Sequence, residues 1–252
     1  MGRVASFGVE RIEAMGKLAE SGDRETIYQA GDTIGAYLAG LGFNVDFAPD
    51  ADVLVDAESR AIGDRSFGTD PQVVASMAWA FAEALHHNGI LAAYKHFPGH
   101  GGTKEDSHSG YAYVHKTLEE LRQTELVPFQ DGCDRGVDFI MVSHISAPEV
   151  TGSDVPATLS GSLVEDLLKG EMGYEGIVIT DSMSMGAITL HYSVEEATLL
   201  AIEAGCDMIL MPESFDQAYS AVINAVSEGR ISEERIEESV RRILRAKMNM
   251  GN

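Results

Sequence analysis

Basic residues are scarce. The 252-residue chain carries 18 lysines and arginines against 40 aspartates and glutamates, for a formal net charge of −22. Nucleic-acid binding needs a basic face, and none is visible. The acidic surplus is spread along the chain and reads as a solvated surface. Cysteine is nearly absent. Cys133 and Cys206 are the two present, each in an apolar context. They read as reduced core thiols, which excludes a disulfide framework. No apolar run is long enough to cross a bilayer. The opening MGRVASFGVERIEAM lacks the apolar h-region of a signal peptide, an absence of little weight; the compartment is open, with a cytoplasmic location favoured and a signal carried on a missing N-terminal part as the alternative. No G-x-x-x-x-G-K-[ST] pattern is present, which disfavours a phosphate loop. Low-complexity linkers and internal repeats are also missing.

What is present is alternation. Five short apolar runs read as strands: 43–49, 90–97, 139–145, 176–183 and 206–212. Each is almost continuously apolar until its last residues, as in a parallel strand covered on both faces. Helical patterns lie between them. Asp70 and Pro71 make a helix start, followed by Val74, Met77, Phe81 and Leu85 at helical spacing. Thr117 and Glu120 form a capping box. Leu163, Leu167 and Leu168 make a short stripe. Ala218, Ala221, Val222, Ala225 and Val226 make a longer one, and Ile236, Val240, Ile243 and Leu244 close the chain. The repeat predicts one α/β domain over residues 1–252, of the (β/α)8 TIM-barrel type. Five βα units rather than eight predict a barrel lacking about three units at its front.

In such a barrel, chemistry sits at the C-terminal ends of strands. There this sequence places Asp46, Lys95, His96, His144, Asp181 and Met211. The stretch KHFPGHGGTKEDSH (95–108) is the most unusual. His96, His100, Asp106 and His108 could ligate zinc or iron, although Lys95 beside the first ligand opposes a dication. The favoured reading is acid/base work. Asp106 can fix the tautomer of His108, whose imidazole then exchanges a proton with substrate. Lys95 and His96 then bind substrate by donating to its hydroxyls. Asp181 ends IVIT as either a helix cap or a mouth carboxylate able to act as nucleophile or base. Arg65, in IGDRSFG, is either a surface ion-pair residue or a planar fork for substrate. His144 is as readily a satisfied core histidine as a substrate-facing one. Asp46 and Asp52 flank Pro49 and read first as structural, with Asp46 retained as a mouth-lining candidate. Met183, Met185 and Met211 read first as packing, with Met211 retained as a strand-end candidate.

Taken together, FNVDFAPDADV, IGDRSFG, KHFPGHG followed by DSH, MVSHI, PATLS, GYEGIVITDSMSMGAI and AGCDMILMP resemble the family 3 glycoside hydrolases. The resemblance is to their bacterial β-N-acetylhexosaminidase branch, and it covers residues from about 26 to 248. It implies Asp181 as nucleophile, His108 with Asp106 as acid/base dyad, and Arg65, Lys95 and His96 as binders of the terminal sugar. It implies retaining hydrolysis of terminal β-linked N-acetylglucosamine, for instance from peptidoglycan fragments, with no metal or other cofactor. Phosphate in place of water is also compatible. The family's upstream D-[QE]-E-G-G segment, which contributes a sugar-binding aspartate, has no counterpart here. An open remnant would expose two sheet edges, predicting self-association through them or a non-catalytic sugar-binding module.

Overall fold

The longer α-helices in this chain, together with the short Leu118–Gln123 helix, start where a short polar side chain takes unpaired N–H groups of the first turn, except Leu126–Arg135. Asp70 Oδ1 accepts from Gln72 N–H at 2.9 Å and Val73 N–H at 3.3 Å, with Pro71 in the first helical position. Thr117 and Glu120 form the expected reciprocal capping box. The structure, a computed structural model, describes residues 11–56, 59, 61–103 and 112–250. It runs through α1 (Met15–Ala19), α2 (Arg24–Gly40), β1 (Val45–Asp46), α3 (Pro71–His87) and β2 (Leu91–Phe97). There follow β3 (Ala112–Tyr113), α4 (Leu118–Gln123), α5 (Leu126–Arg135), β4 (Phe139–Val142), β5 (Ile145–Ser146) and α6 (Pro148–Thr151). A widened π-type helix, Ser162–Glu171, leads into β6 (Ile177–Thr180), and the chain continues through α7 (Gly186–Thr189), α8 (Val194–Ala204), α9 (Phe215–Ser227) and α10 (Glu233–Asn249).

Strands β1, β2, β4 and β6 form one parallel sheet in that order. Helical crossovers join sequential neighbours, which is the βα repeat of a TIM-barrel-type sheet. Of the five expected strands, four form the ladder, each shorter than its apolar run. The fifth, 206–212, lies along β6 without joining as a full strand. One isolated bridge pairs Ile179 with Met208. Here the Asp207 carboxylate accepts the Val178 N–H at 3.0 Å, putting a side chain where a strand would offer a carbonyl. A second, two-stranded parallel sheet of β3 and β5 was not foreseen.

Alternation along the strands gives the main sheet two apolar faces. Ala92 and Tyr94 of β2, Ile140 and Val142 of β4, and Val178 of β6 belong to the main core with the helices. Val74, Met77, Phe81 and Leu85 of α3 are buried in it as expected. Each such side chain contributes about 1.5–3 kcal/mol by leaving water. The opposite face holds Leu91, Ala93, Phe139, Met141, Ile177 and Ile179, against which Ile243, Ala246 and Met250 are packed. Val240 and Leu244, expected in the core, are instead exposed. The reason is the rotation of α10. Ser239 Oγ donates to Asp207 Oδ1 at 2.6 Å and Arg242 Nη1 donates to it at 3.3 Å, which turns the 239/242/243/246 side inward.

The two cysteines are free, and burial pushes both thiols up to about 12. No helix among the described residues is long and apolar enough to cross a membrane.

Candidate active site

The C-terminal end of β2 anchors the site. The β2–β4 ladder skips a residue between Lys95 and Phe97, so His96 sits on an irregularity, a common device for re-aiming a side chain next to an active site. The chain then turns through Pro98 and Gly99 to His100. Two glycines are required here by close approach. A Cβ on Gly101 would lie 2.0 Å from the Val53 carbonyl oxygen. One on Gly99, whose φ is +128°, would lie 2.5 Å from Glu125 Cβ. Glu125 is itself buried and receives Lys116 Nζ at 2.6 Å. The PGHGG run is therefore pressed onto the segment after β1 and onto the start of α5.

Asp52 ties this turn together. Its Oδ2 accepts from the His96 N–H at 3.1 Å and from His96 Nδ1 at 2.7 Å, and its Oδ1 accepts from the His100 N–H at 2.6 Å. Burial raises the Asp52 carboxyl, and the His100 charge and the backbone donors oppose that rise. The reading of Asp52 as structural agrees with this geometry. Burial likewise depresses the His96 imidazole to about 3, so the ring is neutral at neutral pH. With Nδ1–H donating to Asp52, Nε2 is a lone-pair acceptor. This corrects the expectation that His96 donates to a substrate hydroxyl: the Asp52 partner sets the opposite tautomer.

Asp181 follows the last residue of β6. Its N–H donates to the Val142 carbonyl at 2.8 Å, and its Oδ1 accepts the Ser182 N–H at 2.7 Å. It does not cap the next helix, whose N-cap is Met185. Burial pushes its carboxyl up. The Ser182 N–H and the Lys95 ammonium oppose that rise, and the carboxyl lies below the ordinary carboxylate range. Asp181 is half-buried. The result is an ionised carboxylate at a strand end.

His144 is fully buried, with Nδ1 2.8 Å from Thr158 Oγ1 and Nε2 2.9 Å from the Ser182 carbonyl oxygen. Both nitrogens are engaged by protein atoms, so it orients the Ser182 backbone beside Asp181 rather than presenting a free ring nitrogen. Burial lowers its imidazole pKa. Arg65 ends a short 3-10 turn, Gly63–Arg65, with Nη1 3.5 Å from Asp50 Oδ2. Asp46, raised by burial against the Lys95 charge, lines a cavity of about 540 Å³ together with Asp50, Arg65 and Lys95. Met211 is 62% exposed at φ 48°, which corrects the expectation of a packing residue, whereas Met183 and Met185 are buried. Asp106 and His108 lie outside the described residues. Sequence reasoning passed over Asp50. Its only signal was its place two residues before Asp52.

Metal ligation fits the described donors poorly. Asp50, Asp52 and His96 bring potential ligand atoms within 4.8 Å of one another. Yet Asp52 and His96 Nδ1 already satisfy each other, and the Arg65 and Lys95 cations line the adjoining cavity. His100 Nδ1 is likewise engaged, 2.6 Å from Thr103 Oγ1.

Comparison with known proteins bears on this arrangement. The beta-hexosaminidase of Stenotrophomonas maltophilia is 39% identical over 183 residues, covering 72% of this chain and 53% of that protein. A family 3 β-N-acetylglucosaminidase from Paenibacillus superposes with a TM-score of 0.92 at 40% identity, covering 96% of this chain and 48% of the other. A protein of Thermotoga neapolitana, solved in a zinc-bound form, superposes with a TM-score of 0.87 at 33% identity, covering 95% of this chain and 51% of the other. The chain spans about half the length of these relatives. Residues 2–246 match the family model described as the glycosyl hydrolase family 3 N terminal domain, and the chain belongs to that family.

Proposed function

We propose that this chain is a single barrel-type catalytic unit of a retaining exo-β-N-acetylhexosaminidase, acting on terminal β-linked N-acetylglucosamine. Peptidoglycan fragments are one natural source of that sugar. The observation that carries the reading is Asp181: an ionised, half-buried carboxylate at the end of β6, accepting the Ser182 N–H and facing the Lys95 ammonium. An anionic oxygen there can attack an anomeric carbon. Lys95 and Arg65 donate to sugar hydroxyls, and His96 accepts from one through Nε2. Asp46 and the exposed Met211 border the substrate.

In the first step Asp181 bonds to the anomeric carbon while His108, oriented by Asp106, protonates the departing glycosidic oxygen. In the second, His108 takes a proton from water, which displaces Asp181 from the glycosyl ester. Both transition states are oxocarbenium-like and are stabilised by the adjacent carboxylate. An imidazole acid avoids a second carboxylate next to Asp181, whose titration would couple to it. The dyad follows from the sequence resemblance alone.

Release of p-nitrophenol from its β-N-acetylglucosaminide tests the reading. Asp181→Asn and His108→Ala should each abolish most turnover. In His108→Ala, intact-mass measurement should reveal one added N-acetylhexosaminyl unit on the peptide containing Asp181. Unchanged turnover in both variants would sink the assignment.

A further inference from the structure

Asp50 has no role in the chemistry above, yet its side chain is only 5% exposed. Its Oδ1 accepts the Asp52 N–H at 3.2 Å, whereas Oδ2 receives no hydrogen bond. Arg65 Nη1 stands 3.5 Å away, an ion-pair distance but too long for a good N–H···O bond. A buried acceptor left open in this way is rare and asks for an explanation. Asp50 lines the 540 Å³ cavity with Asp46, Arg65 and Lys95. That wall offers donors and acceptors side by side. A phosphate would meet the carboxyls of Glu13, Asp46, Asp50 and Asp64 there, and a divalent cation would meet the charges of Arg11, Arg65 and Lys95. Neighbouring hydroxyl groups, each able to donate and accept at once, match both.

We propose that Asp50 is a substrate-recognising residue whose Oδ2 accepts a hydrogen bond from a ring hydroxyl of the terminal sugar. The proposal rests on the glycosidase reading and adds to it an acceptor that the sequence did not single out. Lys95 and Arg65 supply donors to the same or the adjacent hydroxyl, and Asp50 supplies the complementary oxygen. Burial, then the charge of Asp52, raises its carboxyl to about 7, against the opposing pull of Arg65 and Lys95. A hydroxyl donor favours the ionised form and so opposes the same rise.

The test is a cycle between protein and sugar. Wild type and Asp50→Asn are assayed on p-nitrophenyl β-N-acetylglucosaminide and on its 3-deoxy, 4-deoxy and 6-deoxy analogues. In wild type one deletion should lower kcat/KM by about 10- to 150-fold, the range for a hydrogen bond to a charged group. In Asp50→Asn the same deletion should cost only about threefold, because the acceptor has already been weakened. Asp50→Ser gives the same comparison should the amide variant melt early. KM of wild type should also rise as pH falls through about 7, and that rise should disappear in Asp50→Asn. Equal losses in wild type and variant for all three deletions overturn the role of Asp50 while leaving the glycosidase reading intact. Wild type that neither turns over nor binds the parent sugar overturns both.

Discussion

Replacing Asp50 by asparagine should stabilise the protein increasingly as pH rises. In the unfolded chain this carboxyl ionises near 3.8, whereas burial in the fold raises it to about 7. Between those values the unfolded chain has lost a proton that the folded chain still holds. Stability therefore falls with rising pH across the window, by about 1.4 kcal/mol per unit. The full penalty at pH 8.5 is about 4 kcal/mol, and the part accumulated above pH 5 is about 3 kcal/mol. The Asp50→Asn variant carries no such penalty. Its amide keeps an oxygen for the Asp52 N–H but brings a donor to a place that offers it no acceptor, a fixed cost of about 1–3 kcal/mol. That offset does not vary with pH, so the change in the gap is the quantity to measure. Urea unfolding of both proteins at pH 5, 6, 7 and 8.5 gives the gap at each point. Asp50→Asn should gain on wild type by about 3 kcal/mol from the first to the last, the greater part below pH 7. A gap that stays constant, or that narrows as pH rises, would refute the reasoning, because it would mean that the folded protein holds this carboxylate ionised at no cost.

Other perturbations separate the parts of the site. Asp52→Ala removes the acceptor of three N–H groups and should destabilise the fold by about 3–5 kcal/mol, read as a lowered urea midpoint with an unchanged slope. Gly101→Ala places a methyl 2.0 Å from the Val53 carbonyl oxygen; the 96–103 turn must lift off, so N-acetylglucosamine affinity by calorimetry should fall along with the melting temperature. Leu85→Ala, fully buried on α3, should cost about 2–5 kcal/mol without altering the pH profile of turnover. Excess chelator should leave p-nitrophenol release unchanged, and a stoichiometric metal requirement would contradict the donor inventory around Asp52.

How much of this was legible beforehand depended on the range of the forces involved. Local rules were. Asp70, Pro71, Thr117 and Glu120 act within one helical turn, and they mark the helix starts they predicted. Strand-end placement was also legible, because a parallel strand buried on both faces reads as apolar residues until its last positions. Lys95, His96, His144 and Asp181 come together at those ends as a result. Long-range hydrogen bonding was not legible. The tautomer of His96 is set by Asp52, 44 residues away. The rotation of α10 is set by Asp207, 32 residues before Ser239. Periodicity alone would have buried Val240 and Leu244.

Asp50 marks the limit of pattern reading most sharply. In sequence it is one of two aspartates in PDAD, indistinguishable in type from Asp52. In the fold both side chains are buried, yet they are opposite cases. Asp52 has donors on both oxygens, and removing it should cost stability. Asp50 has an oxygen without one, and neutralising it should add stability above pH 7. A chain keeps a destabilising buried charge where function requires it, since selection tolerates lost stability only down to a threshold. The same residue should therefore answer in opposite senses to two assays, gaining on unfolding and losing on sugar recognition. An aspartate that served the fold alone would lose on the first and be silent on the deoxy-sugar cycle.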